Sequence, residues 1–268
     1  MSKNLYIVPY DFTEVGNKAL EYALFLGEKV KTEIKLLHIA ADKPQGMAAM
    51  ARLKDICEKK QTPFSVELTY SVIIGSIFTD IAATAKKEHA QLIIMGTHGK
   101  KGMQALFGSH AMKVITSAEC PFLIVQKNTE VKKVENMIVP IDLTKESLQI
   151  VNIAGDMSNI LKSGVHVVAE KQTDQILNSR LQNRLALVKD RYQERDITPT
   201  IETFRKGGSY DKKVLKYCEE VNAGMVAIAY HCERILPQFD TFAQNLMVNK
   251  KAIPFLIVNS KLASSLYF

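Results

Sequence analysis

The chain has 268 residues, 47% of them hydrophobic and 24% charged, with a formal net charge of +7. That is globular composition, with apolar material for one large core or two of ordinary size, and no run approaches the about 18 uninterrupted apolar residues of a membrane-spanning helix. The basic residues are scattered as isolated pairs, with no basic tail and no arginine–aromatic interleaving, so the charge reads as a solvated surface and not as a nucleic-acid face.

The first apolar run covers 5–9 and reads as a buried strand. It is too short for a signal-peptide core, so a cytoplasmic location is expected. A helix follows over 13–31: Ala19, Leu20, Ala23, Leu24, Gly27 and Val30 recur at helical spacing, with Thr13 as N-cap and Glu14 in the first turn. A second strand over 33–39, a helical stretch over 46–60, a third strand over 64–72 and a helix over 76–88 come next. The continuous apolar strand 92–95 leads into a glycine-rich loop, then a helix over 109–117 and a last strand over 122–126. Continuous hydrophobicity marks strands buried on both faces, hence a parallel sheet covered by helices.

The pattern then repeats. Ile7-Val8-Pro9-Tyr10-Asp11-Phe12-Thr13 returns as Ile138-Val139-Pro140-Ile141-Asp142-Leu143-Thr144, and Pro121-Phe122-Leu123-Ile124-Val125 as Pro254-Phe255-Leu256-Ile257-Val258. Between them Gly75-Ser76 matches Gly208-Ser209, and His98 matches His231. The offset grows by two along the repeat, which places an insertion between the second and third strands. Four ordered matches divide the chain into domains of residues 1–130 and 131–268, joined by a charged linker over 127–135. The second copy carries a longer charged helix over 173–195.

Ligands of open parallel sheets sit beyond the carboxyl ends of the strands, where the strand order reverses. In the first copy those ends carry Pro9-Tyr10-Asp11, Ile39-Ala40 and the loop 96–110. The loop reads Gly96-Thr97-His98-Gly99-Lys100-Lys101-Gly102 and, further on, Gly108-Ser109-His110 at a helix start. Glycines admit an anion close to backbone N–H groups, a helix N-terminus points its free donors at a phosphate, and the lysines add charge. The alternative is that the glycines only make tight turns. The loop is neither a P-loop nor a nucleophile elbow. His98 is either a loop-packing residue or a general base. In the second copy Ala229 replaces Gly96, Cys232 replaces Gly99, Thr241-Phe242 replace Gly108-Ser109, and Glu233 adds a repelling charge, so phosphate binding is expected to be lost there.

Cys57, Cys120, Cys218 and Cys232 show no C-x-x-C spacing and are expected as reduced thiols. The six histidines form no H-x-x-x-H pattern, and the single adjacent soft pair, His231-Cys232, is not completed to a ligand set, so no metal site is expected.

Taken together, Val8-Pro9-Tyr10-Asp11-Phe12-Thr13, Met95-Gly96-Thr97-His98-Gly99, Gly108-Ser109 and Cys120-Pro121-Phe122-Leu123-Ile124-Val125 resemble the universal stress protein family in its tandem-domain form, over essentially the whole chain. The resemblance implies two doubly wound, Rossmann-like α/β domains, each a five-stranded parallel sheet of order 3-2-1-4-5 with helices on both faces. It implies ATP or another adenine nucleotide, with Mg2+ accompanying it, between strands one and four. Carried over by position, Pro9, Tyr10, Asp11 and Ile39 would surround adenine and ribose. Met95, Gly96, His98 and Gly99 would line the site, and Gly108, Ser109 and His110 would hold the phosphates. Family domains pair through the fifth strand, which implies a pseudo-dimer within one chain and leaves a homodimer open. One departure stands out: the family spacing is G-x2-G-x9-G-[ST], whereas eight residues separate Gly99 from Gly108 here.

The leading expectation is a nucleotide-binding stress-response sensor or regulator with an unidentified protein partner. The alternatives are an interaction module that binds no nucleotide and, behind it, a weak ATP hydrolase, for which no set of acid, base and metal ligands is visible. Neither a membrane nor a nucleic acid is an expected partner.

Overall fold

The computed structural model describes residues 4–60, 62–63, 65–97, 115, 118–230, 241–247 and 249–259. The chain divides into two compact units, Met1–Val131 and Lys132–Phe268.

The first unit alternates strands and helices: β1 (Asn4–Pro9), α1 (Glu14–Gly27), β2 (Thr32–Ala40), α2 (Lys43–Lys59), β3 (Val66–Ile74), α3 (Ile77–Lys87), β4 (Leu92–Thr97) and β5 (Phe122–Gln126). Its strands run in the order β3-β2-β1-β4-β5, each paired in parallel with its neighbours. Ile7, Val8, Ile93, Ile94, Leu123 and Val125 are wholly buried, as strands covered on both faces require.

Helix α1 begins where the sequence places its cap, with Thr13 Oγ1 accepting the Gly16 N–H at 3.2 Å. It stops at Gly27, short of Lys31, because Lys29 N–H already bonds the Leu26 carbonyl in a tightened last turn. Asp42 caps α2 in the same way, yet only Gly46, Ala49 and Leu53 on that helix are buried, so most of it faces solvent. Strand β3 starts later than expected. A turn closed by Val66 N–H on the Pro63 carbonyl precedes it, and its pairing with β2 then runs from Thr32↔Val66 to Ala40↔Ile74. Of the helix expected over 109–117, only Ile115 lies within the described residues, and it is buried.

The second unit repeats the plan: β6 (Asn136–Pro140), a 3-10 turn (Glu146–Leu148), α4 (Gln149–Leu161), β7 (Gly164–Glu170), α5 (Gln175–Gln193), β8 (Thr200–Phe204), α6 (Tyr210–Glu220), β9 (Ala223–Tyr230), α7 (Thr241–Met247) and β10 (Phe255–Asn259). The strand order is β8-β7-β6-β9-β10, again parallel. The expected linker 127–135 contains neither helix nor strand.

Strand register corrects the position of the insertion. Ile7 pairs with Lys35 and Lys35 with Thr69, while Ile138 pairs with His166 and His166 with Thr200. All three strands therefore correspond at one offset, and the extra residues lie after β8, not between the second and third strands. They form the loop entering α6, where Gly207 and Gly208 take φ values of 119° and 73° that only glycine adopts without strain.

Candidate functional site

The strand order of the first unit reverses between β1 and β4, and six of the sequence-derived site residues meet there. Pro9 ends β1, with Tyr10 and Asp11 directly after it. Ile39 lies near the end of the neighbouring β2, and Met95 and Gly96 near the end of β4 on the other side. His98, Gly99, Gly108, Ser109 and His110, with Lys100 and Lys101, lie outside the described residues, as do His231, Cys232 and Glu233 of the second copy.

The turn after β1 is tied down on every side. Tyr10 N–H bonds the Leu37 carbonyl at 2.9 Å, and its hydroxyl bonds Asn17 Oδ1 of α1. Burial, reinforced by the Asp11 carboxylate, pushes the Tyr10 phenol above its ordinary pKa. Asp11 is exposed, and its Oδ1 accepts both the Thr13 N–H (3.1 Å) and the Thr13 hydroxyl (2.6 Å). One carboxylate oxygen thus locks the residue that caps α1.

Phe12, between them, takes a left-handed φ of 64°, a conformation that costs a residue with a Cβ about 1–2 kcal/mol. Its ring is held by three partners: the edge of Tyr10 at 5.4 Å, His38 at 5.1 Å, and the Arg52 guanidinium 3.8 Å from its centroid. His38 Nδ1 lies 2.8 Å from the Tyr10 carbonyl; a carbonyl only accepts, so Nδ1 carries the proton. Sequence reasoning quoted Phe12 without a role and missed His38 and Arg52. A signal existed only for Phe12, as a bulky residue inside a tight turn.

Gly96 has a packing role of its own. A Cβ there would lie 2.7 Å from the Val15 carbonyl carbon and nearer still to its oxygen, because β4 runs directly under the first turn of α1. Gly16 is similar, since a Cβ would meet Asp11 Oδ1 at 2.8 Å. Thr97, where the described part of β4 ends, buries a hydroxyl that has no hydrogen-bond partner among the described residues.

In the second unit the same turn recurs with Ile141 and Leu143 in the places of Tyr10 and Phe12. Asp142 Oδ1 accepts the Thr144 N–H at 2.8 Å and the Thr144 hydroxyl. Ser147, in the place of Gly16, turns its hydroxyl to the Thr144 carbonyl (3.0 Å) and the Asp142 carbonyl (3.2 Å). Arg184 of α5 donates to the same two carbonyls, that of Asp142 at 2.9 Å. Ala229 occupies the position of Gly96. Tyr210 donates its hydroxyl to the Val168 carbonyl at 2.9 Å, and its ring stacks on Phe242, with centroids 5.1 Å apart and planes 9° from parallel. Burial, then the nearby Asp142 and Glu170 carboxylates, raise the Tyr210 pKa.

Cys57, Cys120 and Cys218 are free thiols. Burial pushes them up, Cys57 to about 11 and Cys120 and Cys218 to about 12, away from the thiolate form that reacts.

With this geometry in place, residues 6–126 match the family model described as the universal stress protein family. The first unit of the chain carries a domain of the universal stress protein family. A universal stress protein of Methanocaldococcus jannaschii is 27% identical over 148 residues, covering 47% of this chain and 85% of the relative. A crystal structure of a universal stress protein from Archaeoglobus fulgidus superposes with a TM-score of 0.74 at 15% identity, covering 97% of this chain and 100% of the other. A functionally unknown protein from Pseudomonas aeruginosa superposes with a TM-score of 0.67 at 16% identity, covering 99% of this chain and 96% of the other. At these identities the two structures speak for the fold. Among the described residues, no helix is long and apolar enough to cross a membrane.

Proposed function

We propose that the first domain binds an adenine nucleotide, ATP with Mg2+ in the leading reading, between β1 and β4, and that the protein acts in stress response as a cytoplasmic sensor or regulator. The observation that carries this is the convergence of Pro9, Tyr10, Asp11, Ile39, Met95 and Gly96 on three neighbouring strand ends at the reversal of strand order, where the glycine-rich loop leaves β4. The strained Phe12 supports it, since left-handed backbone at a bulky residue gathers at ligand-binding turns. Asp11 is exposed beside that turn, as a carboxylate meant for ribose hydroxyls needs to be. No acid–base pair with a metal ligand set emerges from the described residues, so hydrolysis is weak at most in this reading.

A second reading, an interaction module that binds no nucleotide, is favoured by Gly96. Its contact with Val15 accounts for the glycine without any ligand, and the loop beyond it is one residue shorter than the family spacing. Calorimetric titration of the whole chain with Mg-ATP separates the two readings. One site per chain, weakened by Gly108→Val, supports the nucleotide site in the first domain. Absence of binding gives the place to the interaction module.

A further inference from the structure

The second domain sets an aromatic pair of its own where its fold would take a ligand. Tyr210 is the first residue of α6, and its hydroxyl reaches the Val168 carbonyl, which also accepts the Ile141 N–H immediately after β6 at 2.8 Å. The phenol is thereby fixed at the ends of β6 and β7. Phe242, from the start of α7, lies flat against it, and Phe204 at the end of β8 presents an edge to the Tyr210 ring with centroids 6.2 Å apart. Rings contributed after β8 and after β9 thus meet beside the point where the strand order reverses. In the repeat, Tyr210 corresponds to Ile77 and Phe242 to Ser109. Ile77 is 43% exposed.

We propose that the Tyr210–Phe242 stack is an internal occupant of the second crevice, standing where a planar heterocycle would sit, so that this domain is closed by its own side chains and not merely stripped of phosphate contacts. Two parallel rings in offset contact define a slot one aromatic ring thick. Removing either ring leaves a flat apolar gap bounded by the other, and removing Tyr210 also frees one lone pair of the Val168 carbonyl, whose other lone pair keeps the Ile141 N–H. The ligand class of the opened slot is a planar heterocycle with an N–H or NH2 donor. Without phosphate-binding glycines on this side, a triphosphate adds nothing.

The inference is independent of nucleotide binding by the first domain, and one titration separates them. The whole chain is titrated with adenosine, unmodified and as Tyr210→Ile and Phe242→Ser, the residues of the first copy. Each variant is expected to gain one adenosine site over the unmodified chain, with no advantage for ATP at the added site. No site in the unmodified chain and one in a variant upholds the stack as occupant while removing the nucleotide reading of the first domain. An equal number of sites in the unmodified chain and in folded variants overturns the stack as occupant. Since a variant crevice can collapse instead of opening, nitration of tyrosine by tetranitromethane, mapped by mass spectrometry, supplies a second measurement. Tyr210 is expected to react about tenfold more slowly in the unmodified chain than in Phe242→Ser, and equal rates overturn the proposal.

Discussion

The turn after the first strand is built twice in this chain, on one aspartate–threonine frame with different residues around it. Both use an aspartate oxygen, of Asp11 or Asp142, to hold the N–H and hydroxyl of a threonine two residues on. In the first copy Gly16 and Gly96 let α1 begin at Glu14 and rest its first turn on the end of β4. In the second, Ser147 and Ala229 bring side-chain carbons to those places. The chain there enters a 3-10 turn, and α4 starts only at Gln149, the position of Lys18, with no side-chain cap. The sheet is indifferent to the change, since strand order and parallel pairing are the same in both units. What differs is the space over the strand ends. Arg184, Tyr210 and Phe242 are drawn across it in the second copy, and Arg52 is held back on Phe12 in the first. A doubly wound domain therefore keeps its strand order and pairing while the side chains over its strand ends are exchanged.

The largest effect is expected where that comparison is broken directly. Gly96→Val places a branched side chain against the Val15 backbone and should destabilise the chain by about 3 kcal/mol, because overpacking forces backbone apart. The reverse exchange, Ala229→Gly, only frees a strand residue and should cost no more than about 1 kcal/mol. Chemical denaturation of the two variants checks both numbers. Similar midpoints would mean that β4 and α1 separate readily and that Gly96 is not a packing glycine.

A smaller effect of opposite sign tests whether the two cores share a flaw. Tyr22 in α1 and Tyr192 in α5 are 1% and 0% exposed, and neither hydroxyl has a hydrogen-bond partner among the described residues. A buried hydroxyl without a partner forfeits its hydration, so Tyr22→Phe and Tyr192→Phe should each stabilise by about 1 kcal/mol. A rise in Tm for one variant and a fall for the other would show that only one of the two phenols is orphaned.

The repeat and the α/β alternation were legible because they rest on local signals, whereas the five-strand order came with the family resemblance. Continuous apolar runs such as Leu92-Ile93-Ile94-Met95 mark the central strands, and Thr13 and Glu14 mark a helix start. The insertion was misplaced because the change of offset before the Gly75-Ser76 match reveals that residues were gained and only strand pairing reveals where. At Gly96 the sequence shows the absence of a side chain and not the backbone of Val15 that also requires it. The contacts that distinguish the two crevices were the least legible. Tyr210 and Phe242 belong to different helices, and Phe12, His38 and Arg52 come from a loop, a strand and a helix. No periodicity joins them. The trace they leave is a pair of exchanges in the repeat, Ile77 to Tyr210 and Ser109 to Phe242, each installing a ring beside the end of the sheet.

The smallest expected effect concerns the middle of the second strand, where register sets His166 of the second unit against Lys35 of the first. Lys35 pairs with Glu88 and with Glu33 at 3.7 Å. His166 instead has its Nδ1 2.9 Å from the Tyr217 hydroxyl, and burial holds its pKa below the ordinary histidine value. The unfolded chain then takes up the proton at higher pH than the folded one. Stability from this group is complete above about pH 6.5 and is lost as pH falls through the folded pKa. Hydrogen exchange of the β7 amides should therefore accelerate between pH 7 and pH 5, after correction for intrinsic rates, and His166→Gln should flatten that slope. If His166→Gln leaves the β7 slope intact, acid sensitivity of the second unit arises elsewhere, and the exchange of lysine for histidine at this register position has no consequence for stability.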